Sequence, residues 1–213
     1  PVLYMVRGNM KEALETFVRN GGVLVLTYMS GIVGASDNVY LGGYPGPLRE
    51  MAGIWVEEID SLPPEIHNGV SFSDGESADC SLVYDQIHLE GAEALGRYTR
   101  DFYAGTPAVT RNSYGKGAVY YIGTQLEKAG LSHVLDQAAA EGRVCGLIPE
   151  SSALEISCRE SGDTRFYYLI NFSDRDQPLP ESLAGKTDLI TGRVSGAQDV
   201  LKPWDVRILT EAL

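Results

Sequence analysis

The stretch Gly105–Thr124, GTPAVTRNSYGKGAVYYIGT, decides the fold. Two expected strands, Ala108–Arg111 and Ala118–Gly123, flank the turn Tyr114-Gly115-Lys116-Gly117. Glycine adopts positive φ at little steric cost, so Gly115 and Gly117 close a β-hairpin. The turn has neither the spacing nor the Ser/Thr of a phosphate loop, and a hairpin accounts for it without a ligand.

Upstream, Val2–Val6 reads as a strand. Asn9-Met10-Lys11-Glu12 has the capping-box pattern, and Ala13, Leu14, Phe17 and Val18 recur at helical spacing. Gly21-Gly22 stops that helix, and the continuous apolar run Val23–Thr27 suits a strand buried on both faces. Strand, helix, strand predicts a βαβ unit, hence a parallel sheet with a right-handed crossover. Tyr28–Gly53, rich in Gly, Tyr and Pro, is too long for an ordinary connection; loops of that length are functional or interface-forming. Within it Pro47–Met51 predicts one or two helical turns, and Trp55–Ile59 follows as a strand.

Downstream of Ser81 the pattern is strand-rich, with Ala94–Phe102 a further strand. Leu126–Glu141 reads as a helix with Leu131, Val134, Leu135 and Ala138 on one face. After Gly142 the period shortens to two. Leu154–Arg159, Arg165–Phe172, Asp188–Thr191 and Val206–Leu209 predict short strands separated by turns at Ser161–Asp163 and Gly192. The expected organisation is an α/β domain over 1–146 and a small antiparallel all-β domain over 147–213, with the boundary near Cys145–Pro149.

A chain of 213 residues with 44% hydrophobic and 22% charged residues has the composition of a globular protein. A net charge of −12 argues against a nucleic-acid partner and against an anionic membrane surface, both of which need clustered Lys and Arg. Cys80, Cys145 and Cys158 form no C-x-x-C pair; their odd number speaks for buried thiols in a reducing, cytoplasmic compartment. No apolar run approaches the roughly 20 residues of a membrane span. The chain opens on Pro1 with no Met and no leader, as expected of a fragment or processed product.

Tests for catalytic chemistry return little. Ser30 follows a buried strand, where an α/β-hydrolase carries its nucleophile, but Tyr28 and Ile32 stand where the elbow needs glycines. No Cys follows a strand–elbow–helix pattern. Glu57 and Glu58 are adjacent on a strand, point to opposite faces, and so do not form a glycosidase pair across about 5–10 Å. His67, His88 and His133 share no metal-binding frame, and no cofactor is indicated. Asn171-Phe172-Ser173 is formally a glycosylation sequon at a strand end. Tyr28, Tyr40, Tyr44 and Trp55 gather around the long loop with Ser30. Such aromatics anchor interfaces, stack on sugars, or pack within their own domain.

Gly21–Asp60, GGVLVLTYMSGIVGASDNVYLGGYPGPLREMAGIWVEEID, and Asp101–Thr124 resemble the trimerisation domain of glycoside hydrolase family 42 β-galactosidases. The run Phe166–Phe172 followed by Asp188–Gly192 resembles the small C-terminal β-domain of the same enzymes. The resemblance implies a flavodoxin-like, class I glutamine amidotransferase-like three-layer domain without catalytic residues, its first strands missing here. It also implies a homotrimer, and a parent enzyme whose (β/α)8 barrel holds two catalytic Glu and cleaves terminal β-galactosides with retention. The barrel is absent from this sequence, so no catalytic residue carries over. Tyr28, Ser30, Tyr40, Tyr44 and Trp55 are then the candidates for the interface or pocket rim. A stand-alone amidotransferase-like enzyme and a sugar-binding module are the alternatives.

Overall fold

A computed structural model describes residues 2–148 and 154–213. The chain forms two compact units, one ending at Val144 and one starting at Cys145. Of the expected boundary, Pro149 lies outside the described residues.

The first unit runs α1 (Met10–Arg19), β1 (Val23–Thr27), a 3-10 turn (Gly46–Leu48), α2 (Arg49–Ala52), β2 (Ile54–Ser61), β3 (Asn68–Phe72), β4 (Ser77–Leu89), β5 (Glu93–Tyr98), β6 (Pro107–Tyr114), β7 (Gly117–Ile122), β8 (Thr124–Leu126) and α3 (Lys128–Glu141). The eight strands make one mixed sheet in the order β1-β7-β6-β5-β3-β4-β2, with β8 paired to β4. The hairpin β6–β7 forms at the glycines, with Tyr114 opposite Gly117 and Gly115 at φ +63.

Only the β1–β7 pair is parallel; the other ladders of this sheet are antiparallel, which corrects the expectation of a parallel sheet. The cause is local. Val2–Val6 does not pair with β1. Its backbone is taken by the loop: Gly31 N–H donates to Leu3 O at 2.8 Å, Ile32 N–H to Tyr4 O at 3.0 Å, and Val6 N–H to Val33 O at 3.0 Å. The expected βαβ unit is therefore not closed by this segment.

Helices lie on both faces of β1. On one face Val18, Met51, Ile54, Val56 and Tyr121 pack together, with Met10 and Leu14 of α1 against them. On the other, Tyr84, Tyr98, Val109 and Ile122 pack with Val134 and Ala138 of α3. Helix α1 starts where expected, but the Asn9 side chain makes no capping hydrogen bond. Phe17, Leu131 and Leu135 were expected on buried faces and are 52%, 38% and 42% exposed. They flank β1, the strand at the free edge of the sheet. Helix α3 begins at Lys128, because Leu126 is drawn into β8 opposite Cys80.

The second unit holds β9 (Glu155–Ser161), β10 (Thr164–Ile170), β11 (Gln177–Pro178), β12 (Thr187–Asp188), β13 (Val200–Leu201) and β14 (Val206–Ala212). Its antiparallel sheet β12-β14-β10-β9 and the two-stranded β11-β13 enclose Leu154, Leu169, Leu179, Leu183, Leu201 and Leu209. This is the small antiparallel all-β module read from the period-two pattern. The expected strand Asp188–Thr191 shrinks to its first residue. The Asp188 carboxylate accepts from Ile190 N–H and Thr191 O–H at 2.9 Å each, which turns the chain instead.

Asn171 of the sequon is completely buried. Its amide donates to Arg175 O, Leu201 O and Lys202 O, and its Oδ1 accepts from Ser173 N–H and O–H. It is a structural clamp with no side-chain nitrogen open to modification. Removing a buried amide that satisfies several backbone groups costs about 3 kcal/mol. Asn171→Ala is therefore expected to lower the stability of the second unit by about that amount, measured by urea unfolding, with the first unit unaffected.

Candidate functional site

The segment between β1 and α2 is long but not loose. Tyr40 N–H donates to Ile32 O at 3.0 Å and its hydroxyl to Val6 O at 3.2 Å. Tyr44 and Val56 exchange two backbone hydrogen bonds at 3.2 and 2.9 Å, so the loop returns to the edge of β2. Arg49 Nη1 donates to Gly42 O at 3.0 Å. Gly43, at φ +90, lies so close to Trp55 that a Cβ there would sit 1.9 Å from the indole Nε1. The loop is thus tied at several points to regular elements and to the N-terminal segment.

Trp55 is the hub of this bracing. His88, its cross-strand partner, stacks on the indole at 4.7 Å and 24°. The Arg49 guanidinium lies 5.4 Å from the ring centroid. Arg49 forks onto Glu90, with Nε to Oε2 at 2.6 Å and Nη2 to Oε1. That pairing holds the Glu90 carboxyl below the usual carboxylate range and raises the guanidinium. The pair is more than a third exposed, so solvent screens its Coulomb attraction, and its main effect is to fix where Arg49 points. His88 Nε2 is 2.8 Å from Glu57 Oε2. Glu57 is the extra residue of a β-bulge between Val56 and Glu58, so the strict alternation expected for Glu57 and Glu58 is broken and both are exposed.

The five sequence candidates are placed as follows. Ser30 is completely buried and its hydroxyl meets no hydrogen-bond partner. Tyr28, Tyr40, Tyr44 and Trp55 are half-buried. The structure brings Tyr44 and Trp55 together at the rim of β2. Tyr28 instead lines an apolar cleft of about 310 Å³ with Val25, Ile122, Leu131 and Leu135. The residues that project are others: Leu41, 97% exposed, and Val39, 56% exposed. Leu41 was not singled out from sequence; its only signal is a leucine directly before Gly42-Gly43. Arg49 and His88 were also missed, because their partners lie far away along the chain.

No hydrolytic constellation is assembled here. Ser30 has no base, and among the described residues no group of three or more His, Cys, Asp or Glu is arranged to hold a metal ion. Cys80 alone of the three thiols is buried, and burial pushes it up to about 11, which leaves it unreactive. Cys145 is exposed, against the expectation of uniformly buried thiols. Among the described residues no helix is long and apolar enough to cross a membrane.

The comparisons agree with this geometry. The family model described as the β-galactosidase trimerisation domain matches residues 1–145, and that described as the β-galactosidase C-terminal domain matches residues 153–211. The chain therefore belongs to the glycoside hydrolase family 42 β-galactosidases, of which it carries these two non-catalytic domains. It is 45% identical to the β-galactosidase LacA of Lactobacillus acidophilus over 98% of this chain and 31% of that protein. It is 40% identical to the β-galactosidase BgaB of a Geobacillus species over 99% of this chain and 32% of that one. The crystal structure of a β-galactosidase from Bacillus circulans sp. alkalophilus matches with a TM-score of 0.88 at 35% identity, covering all of this chain and 32% of its own. A cold-adapted β-galactosidase from Rahnella sp. R3 gives 0.83 at 36%, with the same coverage. The chain thus spans about a third of the length of the relatives it matches.

Gly43→Ala tests the bracing. The new methyl meets Trp55 Nε1 and, at 2.6 Å, the Val56 carbonyl, at a φ that L-residues rarely adopt. In a Trp204→Phe background, the expected result is a shifted Trp55 emission and a loss of about 2 kcal/mol in urea unfolding of the first unit.

Proposed function

We propose that this chain is the assembly portion of a retaining β-galactosidase. The rest of that polypeptide would supply the barrel and the two carboxylates that hydrolyse terminal β-D-galactosides in the cytoplasm. The first unit joins three copies, and its loop lies at the rim of a neighbour's sugar pocket. The observation that carries the reading is the braced loop with Leu41 almost fully in solvent at its tip. A leucine held out on a rigid support gives up little conformational entropy when a partner covers it, which is how a few residues come to dominate an interface. On this reading Tyr40, Tyr44 and Trp55 set the loop's shape, Ser30 fills space beneath it, and Tyr28 lies at the cleft beside β1.

The free edge of β1 supports the finer fold assignment. Strand β1 has one neighbour, while Phe17 on one face and Leu131 and Leu135 on the other stand exposed beyond it. A further parallel strand from the rest of the protein would pair with that edge, cover these side chains, and complete a flavodoxin-like three-layer domain. A stand-alone amidotransferase-like enzyme finds no support, since Ser30 is buried and without a base.

Sedimentation of the full-length enzyme tests the reading. Wild type is expected to run as a trimer. Leu41→Asp is expected to weaken association at least tenfold, whereas Leu189→Asp, at an exposed site in the second unit, leaves it unchanged. A trimer indifferent to Leu41→Asp would remove the loop from the interface.

A further inference from the structure

Asp85 lies in the middle of β4 and is completely buried. Its Oδ2 accepts a hydrogen bond from the Tyr121 hydroxyl at 2.6 Å, and its Oδ1 has no partner. Its backbone N–H donates to Gly123 O at 2.8 Å, and its cross-strand neighbour is Ile59. Ile87 and Val56, the next pair along the same face, lie in the cluster against which Tyr44 packs, together with Tyr121. The carboxyl is therefore part of the surface on which the loop is seated.

The titratable groups near it are phenols. Tyr121 of β7 donates to it, Tyr98 of β5 donates its hydroxyl to Gly123 O, and Tyr44 of the loop packs against the cluster that holds Tyr121. The charged side chains of the two helices on this face are occupied elsewhere. Lys11 pairs with Glu15, Arg19 lies on the Tyr114 ring, and Arg49 is forked onto Glu90; Glu12 and Glu50 are exposed. Among the described residues no cation pairs with Asp85. A buried carboxylate with one neutral donor and no counter-ion is costly, so the group takes up a proton instead.

We propose that Asp85 is a proton-operated latch: the closed sheet carries the carboxyl neutral, and opening of the sheet beneath Tyr44 releases its proton to solvent. Burial pushes the group up to about 7, with the Tyr121 hydrogen bond pulling it part of the way back. The unfolded or opened chain returns it to about 4. A group raised in the closed state contributes its full stability below about pH 4 and loses it as pH rises through about 7, with no further change above. This contribution is thus largest in acid, opposite in sign to that of exposed carboxylates such as Glu90 and Glu141, which arginines hold low.

Amide hydrogen exchange on the full 213-residue chain, compared with Asp85→Asn, isolates this one proton because every other titration is common to both. The ratio of opening constants, wild type over variant, is expected to rise about tenfold per pH unit between about pH 4 and 7 and to be flat above. The change is expected in Tyr40–Gly46 and Ile54–Ser61, with β10 and β14 serving as an unchanged reference. A ratio independent of pH, or a change spread equally over the second unit, overturns the proposal. If Asp85→Asn does not fold, Tyr121→Phe decides. Loss of the donor that favours the anion moves the plateau to higher pH, and an unmoved plateau overturns the latch. Infrared difference spectra supply a direct check, since the carbonyl stretch of a protonated carboxylic acid should disappear as wild type is titrated through neutrality.

Discussion

The first unit depends on a steric constraint between two glycines and one helix. Gly117 lies where a Cβ would stand 2.1 Å from the Gly22 carbonyl and 2.5 Å from that of Val18, and a Cβ on Gly115 would meet the Arg19 Cα at 2.6 Å. The hairpin tip therefore presses directly on the last turn of α1, and Lys116 N–H donates to Arg19 O at 3.1 Å. With α1 fixed there, Gly21-Gly22 delivers β1 alongside β7 in parallel, from Val23 opposite Ala118 to Thr27 opposite Ile122. The loop that follows β1 starts from the position this contact sets, and Tyr28 N–H donates to Ile122 O of β7 at 2.7 Å.

Such a contact is legible in sequence only as two turn signals. The glycines marked the hairpin and the helix end correctly, but nothing in either motif says that they touch. The same limit explains the larger misreading. Val2–Val6 has strand composition, and pairing it with β1 was the reasonable local inference. Whether it does so depends on competition for its backbone groups, and residues 31–33 take them with four hydrogen bonds. Helix faces failed for a related reason. Phe17, Leu131 and Leu135 have the spacing of a buried stripe, yet the sheet beneath them ends at β1. Periodicity reports what a helix would bury if covered; it does not report the cover.

The site was legible by type rather than by role. The aromatics of the loop were visible as a cluster, and the structure keeps Tyr40, Tyr44 and Trp55 in one braced unit. Their partners were not visible. Arg49 reaches Glu90, and Trp55 stacks on His88 across a strand pair whose register is reset by the bulge at Glu57. Asp85 stands beside a second polar residue in Val83-Tyr84-Asp85-Gln86-Ile87, a pattern that singles out neither. Burial and the single bond from Tyr121 are what distinguish it from an ordinary strand aspartate.

A rigid loop and a buried Ser30 without a base belong to the same physical account. Catalysis needs groups aimed at one reacting centre in a water-excluded space, and here polar side chains are spent holding backbone in place: Arg49 on Gly42, Tyr40 on Val6, Asn112 on Met51. Association needs the opposite investment, a surface already ordered before the partner arrives, because each side chain immobilised on binding costs about 0.5–1.5 kcal/mol. A loop whose flexible residues are tied down in the free chain, and whose tip is a short branched side chain, keeps that cost small. The geometry is thus that of a surface ordered in advance, and it lies in the region that the trimerisation-domain family model matches.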